Sequence, residues 1–411
     1  METEKINRTR GFSFLKLALF LLIVMIVVGV TLYSFLDINP FDLLSDGVTG
    51  FYNRIFTVTT DEIDALKETV KTVQTFEESE KAHCTAVSDN LAVATISSVK
   101  IIDPDGMEKA YIPVNLKKPF IQSYADDILV ADLAGHYFSL ITNNKISWEK
   151  NIDEIIVNAS ISDIWILLIT ESEQSGYKRT IRAYSRDGQE ISLRTVSNYY
   201  PFAAMNFPGF NKASFAVSSI EVSGLEANGL FEFLDPSMNQ KASIKGENEI
   251  FGGCFPVEGE RLFVYGEKSI TAVDSGYRTV WEHDFEGFSV TAANVINGKY
   301  PITALLNSEV FNRERHHLTT IKIYNSNGTE KTHFDIDAKV TGISSKKKTA
   351  AVIAESEVYF INEDGQIMDR HTAKSNVKGV YLARDDMAYI ITADAATRVT
   401  IKAAKKYLGI F

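Results

Sequence analysis

Cysteine is nearly missing from this chain of 411 residues, which has only Cys84 and Cys254. They cannot form a CxxC pair, and GxSxG, HExxH, GxGxxG and Walker-type loops are absent too, so no short motif ties a chemistry to a spacing. Basic runs are equally scarce. The one triplet, Lys346-Lys347-Lys348, falls at an expected turn and reads as a solvated loop. A formal net charge of −11 without a basic stripe argues against nucleic acid as a partner. The composition also excludes disorder, because 45% of residues are hydrophobic and only 23% charged, enough to build a sizeable core.

Long apolar runs are absent with one exception. Residues 17–36 (LALFLLIVMIVVGVTLYSFL) carry no charge, and twenty helical residues span roughly the 30 Å of a bilayer core. Lys5, Arg8, Arg10 and Lys16 precede the run, and Asp37, Asp42 and Asp46 follow it. The basic flank is expected to stay in the cytoplasm and the C-terminal part to lie outside. A cleaved signal would have a shorter apolar region ending in small residues, so an uncleaved anchor is expected. The organisation read from sequence is a cytoplasmic tail (1–16), a transmembrane anchor (17–36), a linker with a short amphipathic helix (37–69) and a folded exterior domain (70–411). Thr59 and Glu62 at capping-box spacing, with Ile63, Leu66 and Val70 on one face, mark the linker helix.

The exterior part repeats. A β-rich run, a tight turn and a second β-rich run recur seven times, with turns DPDG (103–106), TNNK (142–145), SRDG (185–188), DPSM (235–238), DSGY (274–277), NSNG (325–328) and NEDG (362–365). Their first residues are spaced by 39, 43, 50, 39, 51 and 37. The mean, about 43, is the length of a four-stranded propeller blade. Asp, Asn and Gly suit hairpin turns that need positive φ. Runs before the turns alternate as half-buried strands do, as in TIRAYS and TIKIYN, while IWILLIT and AAVIAE are continuously apolar, which means burial on both faces. An eighth unit starts at Val377 and stops one strand short. The fold expected is therefore an all-β, eight-bladed β-propeller whose last blade is completed by residues 70–77; residues 54–59 are the alternative closing strand, and seven blades the alternative count. This arrangement puts the two cysteines on opposite sides of the ring, beyond disulfide reach, so two buried free thiols are expected.

The units with Trp148 in ISWEK and Trp281 in TVWEH loosely resemble PQQ-like propeller repeats. The blade spacing, the anchor and the stretch TESEQSGYKRTIRAYSRDGQE (170–190) more closely resemble a domain-of-unknown-function family of single-pass propeller proteins from clostridia and related bacteria. The resemblance covers nearly the whole chain and implies fold and location, but no activity. The sequence departs from the PQQ-like pattern in that the repeat tryptophan recurs in two blades only.

Candidate contact residues are few. Tyr199, Tyr200 and Phe202 lie in an aromatic run that continues to Phe207 and Phe210, and the tyrosines beside Pro201 combine apolar area with a polar tip. Arg313, Arg315, His316 and His317 form the one cluster with the look of a specific site. Adjacent strand residues point oppositely, so the histidines share a metal only if the segment is a loop. The acidic turns do not continue to a twelfth-position Glu, which excludes calcium loops. Topology puts the longer excursions at 171–178, 220–229 and 311–318, with the Tyr199-Tyr200 link, on one face, and short turns on the other. These readings favour a membrane-tethered interaction or scaffold module docking an envelope protein or cell-wall component, with no catalytic residue, cofactor or metal. The alternative is a small-ligand or quinoprotein-like propeller with its site at the channel mouth.

Overall fold

The computed structural model describes residues 69–210, 213–223, 226–310 and 316–402. The apolar run 17–36, the tail before it, the linker up to residue 68 and the alternative closing strand 54–59 lie outside the described residues. The chain divides into two units between Glu68 and Thr69, and the second is described below. Among the described residues no helix is long and apolar enough to cross a membrane.

Thirty-two strands form eight four-stranded antiparallel sheets, the blades of a propeller. In blade 1 the strands run outward from the channel as His83–Val87, Asn90–Ala94, Ser98–Ile102 and Glu108–Pro113. Six more blades follow this order. Blade 8 has Gly379–Arg384, Met387–Ile391 and Ala395–Thr400, and its outermost strand is Val70–Thr75. The closing register joins Val70 to Val399 and Thr75 to Ala395. Eight blades closed by the N-terminal strand thus stand over seven. Val70, expected on the face of the linker helix, is a strand residue instead, because its backbone completes the open edge of blade 8.

Second strands carry the core. Every residue of Thr349–Ala354 and of Met387–Ile391 is buried, as continuous apolarity requires of a strand packed between two neighbouring blades. Each such Val, Ile or Leu contributes about 1.5–3 kcal/mol by leaving water. Outer strands such as Thr279–Asp284 alternate exposed and half-buried residues instead.

Six of the seven turns share one hydrogen-bond scheme. The fourth residue donates its N–H to the first residue's carbonyl at 2.8–3.0 Å and sits at positive φ. In four of them the first side chain also accepts the third and fifth amides, as Asp103 does from Asp105 and Met107, both at 2.9 Å. The seventh is a two-residue hairpin with Asn143 (φ 52°) and Asn144 (φ 63°), both left-handed. These turns also join blades. Trp281, on the outer strand of blade 5, donates from Nε1 to the carbonyl of Ser326 in the blade 6 turn at 3.0 Å. A Cβ on Gly328 of that turn would lie 2.6 Å from the indole, so glycine is required there for space as well as for its φ of 87°. Trp148 meets the SRDG turn of blade 3 in the same way, donating to Arg186 at 2.8 Å.

Cys84 lies on blade 1 and Cys254 on blade 5, in Phe251–Val257, and both are free thiols. Both strands are innermost ones; Cys84 is buried on its strand, but Cys254 is only half-buried, which corrects the expectation of two buried thiols. Burial pushes both thiols up to about 12.

Candidate interaction face

Antiparallel order dictates two faces. Links between blades and loops from second to third strand share the first, here the loop face; first-to-second hairpins and the seven turns share the second, the turn face. At blades 3 and 4 the loop face is built up. The loop after Trp165–Glu171 is held at both ends: Glu171 N–H donates to the Ile155 carbonyl at 2.9 Å, and Lys178 N–H to that of Val196 at 2.8 Å. The excursion expected at 220–229 is not a loop. Ala213–Ser223 and Glu226–Leu234 stay paired as far as Ser223 opposite Glu226. Flanking pairing stops earlier, at Tyr200 opposite Ile220 and at Gly229 opposite Gly246. Three residue pairs therefore stand beyond the ring as a hairpin.

The turn face is not uniformly short either. The innermost hairpin of blade 4 joins strands of 11 residues, Tyr200–Phe210 and Ala213–Ser223, against 5 residues each in blade 1. The expectation of a plain turn face fails at this blade, because its extra residues continue the β ladder in both directions.

The two tyrosines have different roles. The Tyr199 hydroxyl accepts a hydrogen bond from Arg194 Nη2 at 2.9 Å, and the same nitrogen lies 3.2 Å from Glu232 Oε1. Glu232 is 1% exposed. Burial, and then the neighbouring Glu232, hold the Tyr199 phenol well above its ordinary range. Tyr199 therefore joins blade 3 to blade 4 and is not a free contact. Tyr200 is 39% exposed, with Lys178 Nζ 4.1 Å above its ring centre, a cation–π contact that fixes the ring while leaving its far face to solvent. Phe202 is half-buried on the same strand and Phe207 is buried in the core; the Phe210 side chain lies outside the description.

Around Tyr200 the loop face exposes Ile155, Tyr177 and Val222, the last 54% accessible. Sequence reasoning missed all three, since Tyr177 and Val222 are lone apolar residues in a polar loop and hairpin and Ile155 reads as the start of the apolar run that continues through Ile156 and Val157. The one available signal was the alternation of Ile220 with Val222 past the expected end of a strand. Glu154, immediately before Ile155, fixes that link from beneath. Burial works to raise its carboxyl. Hydrogen bonds from Thr170, Arg182 and Thr180, with the Arg182 charge, outweigh burial and hold it below its ordinary value.

The second cluster is not brought to this patch. His316 and His317 precede the strand Thr319–Tyr324 of blade 6, outside any strand, and His316 Nε2 lies 3.5 Å from Asp337 Oδ1. Arg313 and Arg315 lie outside the described residues. Among the described residues no group of three or more His, Cys, Asp or Glu side chains is placed to hold a metal ion.

Comparison with known proteins agrees with this architecture. Residues 64–401 match the model of a family of unknown function (DUF5711), and the chain belongs to that family. No curated protein sequence matches it. Among solved structures it is similar to Saccharomyces cerevisiae Sqt1 (8% identity, TM-score 0.59), covering 82% of this chain and 99% of that one. Dihydro-heme d1 dehydrogenase NirN in complex with DHE is similar at 14% identity and TM-score 0.52, over 80% and 74% of the two chains. BamB from Moraxella catarrhalis is similar at 16% identity and TM-score 0.41, over 68% and 96%. At these identities the likeness to the first two shows the fold alone.

Proposed function

We propose that this chain is a membrane-tethered, extracytoplasmic scaffold that docks an envelope protein through the loop face of blades 3 and 4. One observation carries the reading: Ile155, Tyr177, Tyr200 and Val222 are exposed together on adjacent blades of one face, the kind of apolar cluster with a tyrosine anchor that marks protein contact. Acidic side chains at Glu173, Glu221 and Glu226 rim it, so the partner presents an apolar side chain flanked by basic ones. The tether reading rests on the sequence of residues 17–36, and the ring is entered at Val70 on the turn face.

The test is in-cell photo-crosslinking from position 200, with a control probe at Ile164, an exposed residue of a turn-face hairpin. The expected result is a discrete protein adduct from position 200, absent from position 164 and lost when Val222→Ser or Tyr177→Ser is introduced. Equal adducts from both positions, or none from 200, overturn the docking assignment.

A further inference from the structure

The opposite mouth of the channel has a chemistry that the docking face does not explain. A cavity of about 720 Å³ opens there between the innermost strands of blades 1, 2, 7 and 8, within the ordinary range of ligand pockets. Its hydroxyl protons can be followed one at a time, because each Ser or Thr side chain has one to give. Ser123 donates to the Ala86 carbonyl at 2.6 Å. Thr85, 3.1 Å from Ser123 Oγ, must then donate to it. Ser88 donates to the Asp126 carboxylate. Each of these oxygens keeps only lone pairs, and Asp126 can only accept. The wall from blades 1 and 2 is thus a set of acceptors with one negative charge and no side-chain proton to offer from these four groups.

Blade 7 supplies the reverse. Lys346, at the end of Val340–Lys346, lines the same cavity, and no hydrogen bond or ion pair of its ammonium group occurs among the described residues. Ser345 beside it has its proton committed to Asn294 Oδ1 or the Val295 carbonyl, each at 2.7 Å. Asp126 and Lys346 come from blades with two others between them, and no ion pair joins them. Arg384, also near this mouth, is paired with Asp89 at 3.3 Å and Asp386 at 3.1 Å. An acceptor wall faced by a lone cation calls for a molecule charged at both ends.

We infer that the turn-face mouth binds a short peptide with free termini, its ammonium toward Asp126, Ser88 and Ser123 and its carboxylate toward Lys346. Tyr124, 42% exposed at the rim, offers a ring to a side chain between the termini. Both termini are needed, because a charge left in the cavity without its partner loses a charge-assisted bond.

Triglycine is the probe, titrated calorimetrically into the full-length chain beside N-acetyl-triglycine, which lacks the ammonium, and triglycine amide, which lacks the carboxylate. Triglycine is expected to saturate the site, with each blocked analogue at least about tenfold weaker. Lys346→Met is expected to erase the preference for triglycine over its amide, and Asp126→Asn the preference over the acetylated form. Absence of saturable triglycine binding at about 10 mM, beyond the millimolar range of weak ligands, overturns the inference. So does equal binding of the three probes to the unaltered chain, a result that does not depend on how any variant folds. Because the docking face lies at the other mouth, failure here leaves the crosslinking result from position 200 unaffected.

Discussion

Blade 7 and blade 4 are built to one plan with different amounts of chain. The four strands of blade 7 have 7, 6, 6 and 6 residues; those of blade 4 have 11, 11, 9 and 7. Six residues, roughly 20 Å of strand, are enough to span the ring, since blade 7 buries the whole of its second strand with no more. The excess in blade 4 therefore does nothing for closure. It projects from both faces, and on the loop face it carries Val222 beside Tyr200. The difference separates a framework that all eight blades share from an addition that blade 4 makes, and it orders the consequences of mutation: framework changes must cost more than changes to the overhang.

The largest effect is expected at Gly328. Gly328→Ala forces a side chain into left-handed backbone, about 1–2 kcal/mol, and pushes a methyl into Trp281, about 1–3 kcal/mol more. A total near 4 kcal/mol should appear in chemical denaturation. Gly176 has almost the same φ, 86°, but nothing within 4 Å of the added carbon, so Gly176→Ala should cost only about 1–2 kcal/mol. Similar losses at the two sites would deny the turn its role in joining blades.

Removing the closing strand by starting the chain at residue 77 should cost about 3 kcal/mol, mostly the burial of Val73, and promote aggregation through the opened edge of blade 8. Unchanged melting and solubility would refute the closure argument. Tyr199→Phe should cost about 2 kcal/mol, the scale of a hydrogen bond to a charged group, whereas Tyr200→Ser should fall within about 0.5 kcal/mol, as exposed substitutions do. Reversed magnitudes would exchange the roles given to the two tyrosines.

Acid titration probes the framework beneath the patch. Glu154 is depressed in the folded state, so the stability it contributes is full above its ordinary carboxylate range and is lost as pH falls through its lower folded value. Asp235, held at about 2 chiefly by Lys241, behaves alike. Glu154→Gln should flatten the fall in stability between about pH 5 and pH 2, measured by urea unfolding at each pH; an unchanged slope would remove Glu154 from the account. The smallest effect belongs to the overhang. Replacing residues 221–228 by a two-residue turn should cost less than about 1 kcal/mol while abolishing the crosslink from position 200. A large loss of stability would mean that the hairpin belongs to the framework after all.

Most of the framework was legible in the sequence because it rests on periods of two and of about 43 residues, and both are visible in one chain. The turns at 103–106 and 325–328, the buried runs and the closing strand at 70–77 all follow from such regularity. The site was less legible because it consists of departures from it. Residues 220–229 read as a loop since Glu221, Ser223 and Gly224 interrupt the apolar pattern, yet pairing with the adjacent strand carries the ladder on as far as Ser223. Tyr199 and Tyr200 read alike as neighbours, and only the arrival of Arg194 and Glu232 from two different blades sets them apart. Val70 read as helical because spacing at 63, 66 and 70 fits a helix face, but the open edge of a distant blade decided its conformation.

The closing strand has a consequence in time. Val70 emerges from the ribosome long before Val399, its partner across the last sheet, and at about 5–20 residues per second the 328 residues between them take roughly 15–65 s to make. Until then the first strand has nothing to pair with, and joining the two ends is the longest-range contact in the ring, a slow step on loop-closure grounds. The composition of the strand suits that wait. VKTVQT buries only Val73 and otherwise presents Val70 and the polar Lys71, Thr72, Gln74 and Thr75, so the segment that must remain unpaired longest offers a stray sheet edge one exposed valine among polar side chains.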